Sequence, residues 1–182
     1  MNLKVCVFLF SLLFSKTYSQ IRYDVERASI SIKQFNSLKV YSGLEVKLIP
    51  SDKNIVYVYG DNIEKVIISL KRKTLKIKLP IESVFKTGYN YIEVFYNKNL
   101  EFISAYQGSV VTNKKTIKTN QINIKAKEGS NVSTKIKVNS LKANVSSGAK
   151  LSLTGVTKEV DLKVSAGGVI NAEKLESNKA KV

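Results

Sequence analysis

Lysine dominates the chemistry available to this chain. Lys125, Lys127, Lys142 and Lys163 recur in one stretch of strand-like alternation, which turns them outward on one sheet face, with Lys135 and Lys137 on the next. A flat array of ammonium groups holds a partner by summed weak contacts. It suits anionic polymers: an acidic glycan, another envelope component or an anionic membrane surface. Lys71-Arg72-Lys73, Lys76 and Lys78 form a second basic group. Tyr57, Tyr59, Tyr89, Tyr91, Tyr96 and Tyr106 could supply stacking surfaces for sugars, although alternation assigns several of them to core or edge packing. The competing reading is a solvated face whose lysines keep a long β surface soluble and guard its edges. Nucleic acid is the weakest candidate partner, because arginine is confined to Arg22, Arg27 and Arg72.

Other chemistry is largely excluded. The chain has no histidine, so histidine general bases, triads and Zn–His sites are impossible. Its one cysteine, Cys6, lies inside an N-terminal apolar run. Acid–base work on a polysaccharide needs carboxylates gathered on one face. Between Ser83 and Lys158 the acids are Glu93, Glu101 and Glu128, and they share no column of the repeat. Recurrent turn aspartates for calcium and a Gly-rich phosphate loop are both missing. No catalytic residue, metal ligand or cofactor is expected. Asn131-Val132-Ser133 and Asn144-Val145-Ser146 match a glycosylation acceptor, a short motif of little weight by itself.

The elements that must position the lysines repeat. Gly108, Gly129, Gly148 and Gly167 are spaced 21, 19 and 19 residues apart. Five residues before each glycine stands Ile103, Ile124, Ala143 or Leu162, and three before stands Ala105, Ala126, Val145 or Val164. Three after stands Val111, Val132, Leu151 or Ile170. A fixed period near 20 residues with period-2 alternation predicts an all-β, right-handed parallel β-helix, a β-solenoid with rungs of about 20 residues. The glycines are read as its corners, where positive φ or a tight bend is needed. Residues 101–175 would form four such rungs, and residues 20–100 N-terminal strands and first rungs of the same single domain. Glu176 to Val182 reads as the start of another rung. Either the chain is truncated there, or another copy or a partner covers that edge.

The N-terminus reads as a signal peptide over residues 1–19: Asn2 and Lys4, an apolar run from Val5 to Phe14, then Thr17-Tyr18-Ser19. An uncleaved anchor is the alternative, but ten apolar residues are too few to span a bilayer. Loss of Lys4 and Lys16 takes the basic residues from 30 to 28 and the net charge from +16 to +14. The mature chain would then hold no cysteine, no disulfide and no transmembrane span.

Several segments in this order resemble a known family. They are Phe35-Asn36-Ser37-Leu38-Lys39-Val40, Ser42-Gly43-Leu44-Glu45-Val46, Ile55 to Asn62, Leu75-Lys76-Ile77, Ala105 to Ser109, Glu128-Gly129-Ser130, Ser146 to Ala149, and Ser165 to Gly168. Together they resemble the putative auto-transporter adhesin, head GIN domain family of exported bacterial proteins. The resemblance implies a β-helix, no established enzymatic activity and no catalytic residues to carry over.

The expected function is a non-enzymatic adhesin-like protein of the periplasm, the outer-membrane surface or the exterior, binding acidic glycans or surface polymers through its basic face. A structural envelope module associating as a homo-oligomer through its open edge is the first alternative. A β-helix polysaccharide lyase or hydrolase is the second.

Overall fold

The computed structural model describes residues 27–61, 63–84, 89–113 and 115–182, so the expected signal peptide lies outside the described residues. Alternating apolar residues and β-branched runs produce strands almost throughout. In chain order they are β1 (Arg27–Ser31), β2 (Ser37–Val40), β3 (Glu45–Pro50), β4 (Ile55–Gly60), β5 (Ile67–Lys71), β6 (Thr74–Lys78) and β7 (Asn90–Tyr96). They continue with β8 (Phe102–Ala105), β9 (Val110–Asn113), β10 (Ile117–Lys118), β11 (Gln121–Ala126), β12 (Asn131–Val145), β13 (Lys150–Val164) and β14 (Val169–Lys181). One helical turn, α1 (Ile81–Val84), follows β6.

Among the described residues the fourteen strands form one sheet, and β12 is where it divides. The first part of β12 pairs in parallel with β9, its last part with β11, and its length with β13. One wing runs from β9 through β3, β7 and β4 to β1; the other runs from β11 through β8, β2 and β6 to β5. Along β12, buried and exposed residues alternate until Asn139 and Ser140, which are both exposed, and then resume in the opposite parity. One extra residue in a period-2 strand bends it, so its two parts present side chains to one core from two directions. β13 makes the same change at Lys158 and Glu159. The wings thus curl toward each other around a single apolar core, with Leu38, Leu75, Ile77 and Ile103 from one side and Val46, Leu48, Ile92 and Val111 from the other all buried.

The repeat columns are pairing columns. Ile103, Ile124, Ala143 and Leu162 are successive register partners, as are Val111, Val132, Leu151 and Ile170. Besides the bends within β12 and β13, the two parts of the sheet are linked by tight turns with two consecutive residues at positive φ: Gln107-Gly108, Glu128-Gly129, Ser147-Gly148 and Ala166-Gly167, with glycine φ of 70–72°. This is the dihedral pattern of a type I′ turn, which favours glycine because an L side chain costs about 1–2 kcal/mol there. Ser42-Gly43 forms a fifth. The turns are joined: the amide of Gly43 donates to the Gln107 carbonyl at 2.8 Å, Gly108 to Glu128 at 2.8 Å, Gly129 to Ser147 at 2.9 Å, and Gly148 to Ala166 at 3.1 Å. Ser109 and Ser130, both fully buried, fill the position after the glycine. Their hydroxyls donate across to Val40 and Ala105 carbonyls at 3.2 and 2.9 Å.

The chain nevertheless does not build the expected right-handed parallel β-helix of repeated rungs. The sheet is mixed and curls into a half-barrel. β4 runs antiparallel to both β1 and β7, and β5 runs antiparallel to β6. The cause lies in the turns of the N-terminal half. Ser51 to Asn54 turns the chain from β3 back along β4, with β7 lying between the two strands, and the two-residue loop Arg72-Lys73, with φ of 48° and 60°, closes a hairpin between β5 and β6. A hairpin of this kind gives antiparallel neighbours, whereas parallel ones need a longer crossover. The glycine period therefore describes the parallel part of the sheet and not the whole architecture.

Candidate binding face

Outward residues of the β11 wing line up in rows that cross the strands. One row runs Lys76, Lys39, Ser104, Lys125, Asn144, Lys163, each residue the register partner of the next, on β6, β2, β8, β11, β12 and β13. Lys125 and Lys163 are exposed, and Lys39, Lys76 and Asn144 are half-buried. Among the described residues the ion pairs are Lys47–Glu93, Lys65–Glu64, Lys142–Asp161 and Lys179–Glu159, so no acidic side chain neutralises Lys39, Lys125 or Lys163.

The next row contains the first residue of each turn. Tyr41 and Tyr106 stack there with ring centroids 4.8 Å apart and planes 13° from parallel. The Lys76 ammonium lies 4.9 Å from the Tyr41 centroid, an attraction that offsets its placement beside Lys39. Burial, then the neighbouring Tyr106 and Glu128, raises the Tyr41 hydroxyl above its ordinary pKa. Tyr41, Lys76, Lys78, Ile67 and Pro80 line an open groove of about 670 Å³ at this end of the row.

The structure distributes the four lysines singled out from the sequence over three rows. Lys125 and Lys163 share one. Lys127 opens the Glu128-Gly129 turn, half-buried, in the row of Tyr106. Lys142 stands one row away on the other side, opposite Asp161, whose carboxylate is 3.9 Å from its ammonium. Lys135 and Lys137 lie beyond the bend of β12. Lys39 and Lys76 complete the row without having been assigned to it. The signal for Lys39 was present: it stands four residues before Gly43, as Lys125 and Lys163 stand four before Gly129 and Gly167.

The outer face of the other wing is built differently. Register places Tyr57 and Lys47 on either side of Glu93, and Tyr59 and Glu45 on either side of Tyr91. The Glu93 carboxylate accepts hydrogen bonds from the Lys47 ammonium, the Tyr91 hydroxyl and the Tyr59 hydroxyl, each at 3.3 Å. Lys47 and Glu93 side chains are each only 19% exposed. Hydrogen bonding to Tyr91 and Glu93 raises the Lys47 pKa. The Arg27 guanidinium lies 5.4 Å from the Tyr57 centroid, and Phe95 meets Tyr57 edge-on at 5.5 Å. Tyr89 donates to Glu45 at 2.7 Å, a bond that pushes its pKa up to about 12. Charge on this wing is answered from within.

The fold is shared with solved structures. A putative adhesin from Bacteroides fragilis matches with a TM-score of 0.77 at 20% identity, over 87% of this chain and 75% of that one. A putative adhesin from Parabacteroides distasonis matches at 0.63 and 16% identity, over 86% and 76%. A putative lipid binding protein from the same species matches at 0.63 and 14%, over 87% and 78%. Identities this low speak for the fold alone. Curated proteins yield no match. The model of the family described as putative auto-transporter adhesin, head GIN domain, covers residues 34–182, and the chain is a member of that family.

Proposed function

We propose that this protein is a non-enzymatic, exported, adhesin-like protein that holds an acidic glycan or similar surface polymer on the outer face of its β11 wing. The observation that carries this is the row Lys76, Lys39, Lys125 and Lys163, in register and without acidic partners. Unpaired ammonium groups on a rigid sheet are pre-organised for a polyanion, because few side chains must reorder on binding. The family description supports an adhesive role, and the apolar N-terminal run supports export. Of the acids between Ser83 and Lys158, Glu93 is engaged in its own wing, Glu101 accepts a hydrogen bond from Asn36 at 3.1 Å, and Glu128 occupies a turn. The test is binding of the purified chain to an array of acidic glycans and anionic lipid vesicles. Saturable binding to acidic glycans is expected, weakening as salt rises and falling at least about tenfold in Lys125→Glu/Lys163→Glu. Absence of binding across the array would refute the reading.

A second reading, a structural module that self-associates, is favoured by β14, which among the described residues pairs with β13 alone. An open edge of this kind templates another strand. Sedimentation over a range of concentrations tests it. Association that Ala180→Pro abolishes would support it, and a monomer at every concentration would dismiss it.

A further inference from the structure

The spacing within the lysine row defines its ligand more narrowly. We infer that the row is matched to a linear acidic polysaccharide bearing one charged group per disaccharide, with its chain axis running across the strands; this rests on the polymer-binding reading above. From β2 to β13 the row reads Lys39, Ser104, Lys125, Asn144, Lys163, so lysines occupy alternate strands there, while Lys76 on the adjacent β6 adds a cation beside Lys39 that is held over the Tyr41 ring. Adjacent strands are about 4.8 Å apart, which separates successive lysine positions by about 10 Å, close to the length of two linked sugars. The intervening positions are neither apolar nor charged. Ser104, 6% exposed, and the half-buried Asn144 sit lower than the lysines and offer a hydroxyl and an amide. A polymer charged on every second sugar would place its anionic groups over Lys39, Lys125 and Lys163 and its neutral sugars over Ser104 and Asn144. A polymer charged on every sugar would bring half of its charges over positions with no cation. The neighbouring rows carry Lys127, Ser146 and Ser165 beyond Lys125, Asn144 and Lys163 on one side, and Asn123 with the mutually paired Lys142 and Asp161 before them on the other.

The experiment measures affinity of the full chain, at one ionic strength and matched charge concentration, for hyaluronate, polygalacturonate and poly-glutamate. Hyaluronate carries one carboxylate per disaccharide and polygalacturonate one per sugar; poly-glutamate is a non-glycan control. Hyaluronate is expected to bind at least about tenfold more tightly than the other two. Lys125→Gln is expected to remove most of that binding. Asn144→Lys, which puts lysines on three adjacent strands, is expected to shift preference toward polygalacturonate, with melting curves confirming that both variants fold. Equal affinity for the two polysaccharides, tightest binding to poly-glutamate, or a preference unmoved by Asn144→Lys would overturn the spacing inference and leave a general anion-binding face. No binding to any of the three would overturn both.

Discussion

The two wings of this sheet spend their charge in opposite ways. On the β7 wing, Glu93 gathers Lys47, Tyr59 and Tyr91, Arg27 covers Tyr57, and Glu45 holds Tyr89. On the β11 wing, Lys39, Lys125 and Lys163 stand in register, and among the described residues no acidic side chain forms an ion pair with them. The difference teaches where to look for a partner. A face whose polar groups satisfy one another gains stability and leaves little for a ligand, whereas a face of like charges contributes little to folding and much to attraction. Lys142 shows both behaviours within one wing. It is one row from Lys125, yet Asp161 already occupies it.

The comparison can be broken most severely at Gly155, on β13 opposite Ile136. It sits at φ 112°, and a Cβ there would lie 2.0 Å from the Ile136 carbonyl oxygen, with backbone on both sides of the clash. Gly155→Ala is expected to cost about 3 kcal/mol in denaturant unfolding, by forcing β12 and β13 apart. Gly129→Ala, where a Cβ meets nothing within 4 Å, should cost only the left-handed backbone penalty of about 1–2 kcal/mol.

Glu93→Gln tests the self-satisfied wing. It strips the charge that answers the Lys47 ammonium and the Tyr59 and Tyr91 hydroxyls, and a measurable loss of stability is expected with polymer binding unchanged. Lys125→Gln should do the reverse, changing stability by no more than about 0.5 kcal/mol while weakening binding. If both substitutions altered stability equally, the contrast between the wings would fail.

A smaller effect belongs to Tyr96, the last residue of β7, 6% exposed, whose hydroxyl burial pushes up to about 12 from 10.0. The native state keeps this phenol neutral, while the unfolded chain ionises it from about pH 10. Its contribution is therefore complete below pH 10 and is lost as pH rises from about 10 to about 12. Melting temperature followed across that window should fall less steeply in Tyr96→Phe than in the parent protein.

Much of the parallel region was legible because register in a parallel sheet copies a sequence offset. Residues 19 apart in β12 and β13 are partners, so the glycine period already aligned Ile124 with Ala143 and Lys125 with Asn144. The same offset placed Asp161 opposite Lys142, a neutralisation that could have been read by adding 19. The curled half-barrel was not legible. Its closure depends on pairings such as β2 with β8, whose partners stand 65 residues apart, and β3 with β7, whose partners stand 46 apart, separations that the 19- and 21-residue glycine spacing does not reach. Gly43 was separated from the other turn glycines by the same long excursion through β4 to β7. Lys39 and Tyr41 therefore dropped out of columns to which their distances from Gly43 assign them.

The central claim, that ligand lies on the unanswered row and not on the satisfied wing, is tested most directly by nuclear magnetic resonance. Amide resonances would be followed while an acidic polysaccharide of the tightest-binding kind is titrated into the labelled protein. The account predicts that Lys39, Ser104, Lys125, Asn144 and Lys163 shift together with one saturation curve, while Tyr59, Tyr91 and Glu93 stay in place. Shifts centred on Glu93 and its tyrosines, or spread along β14 with the lysine row unmoved, would contradict it.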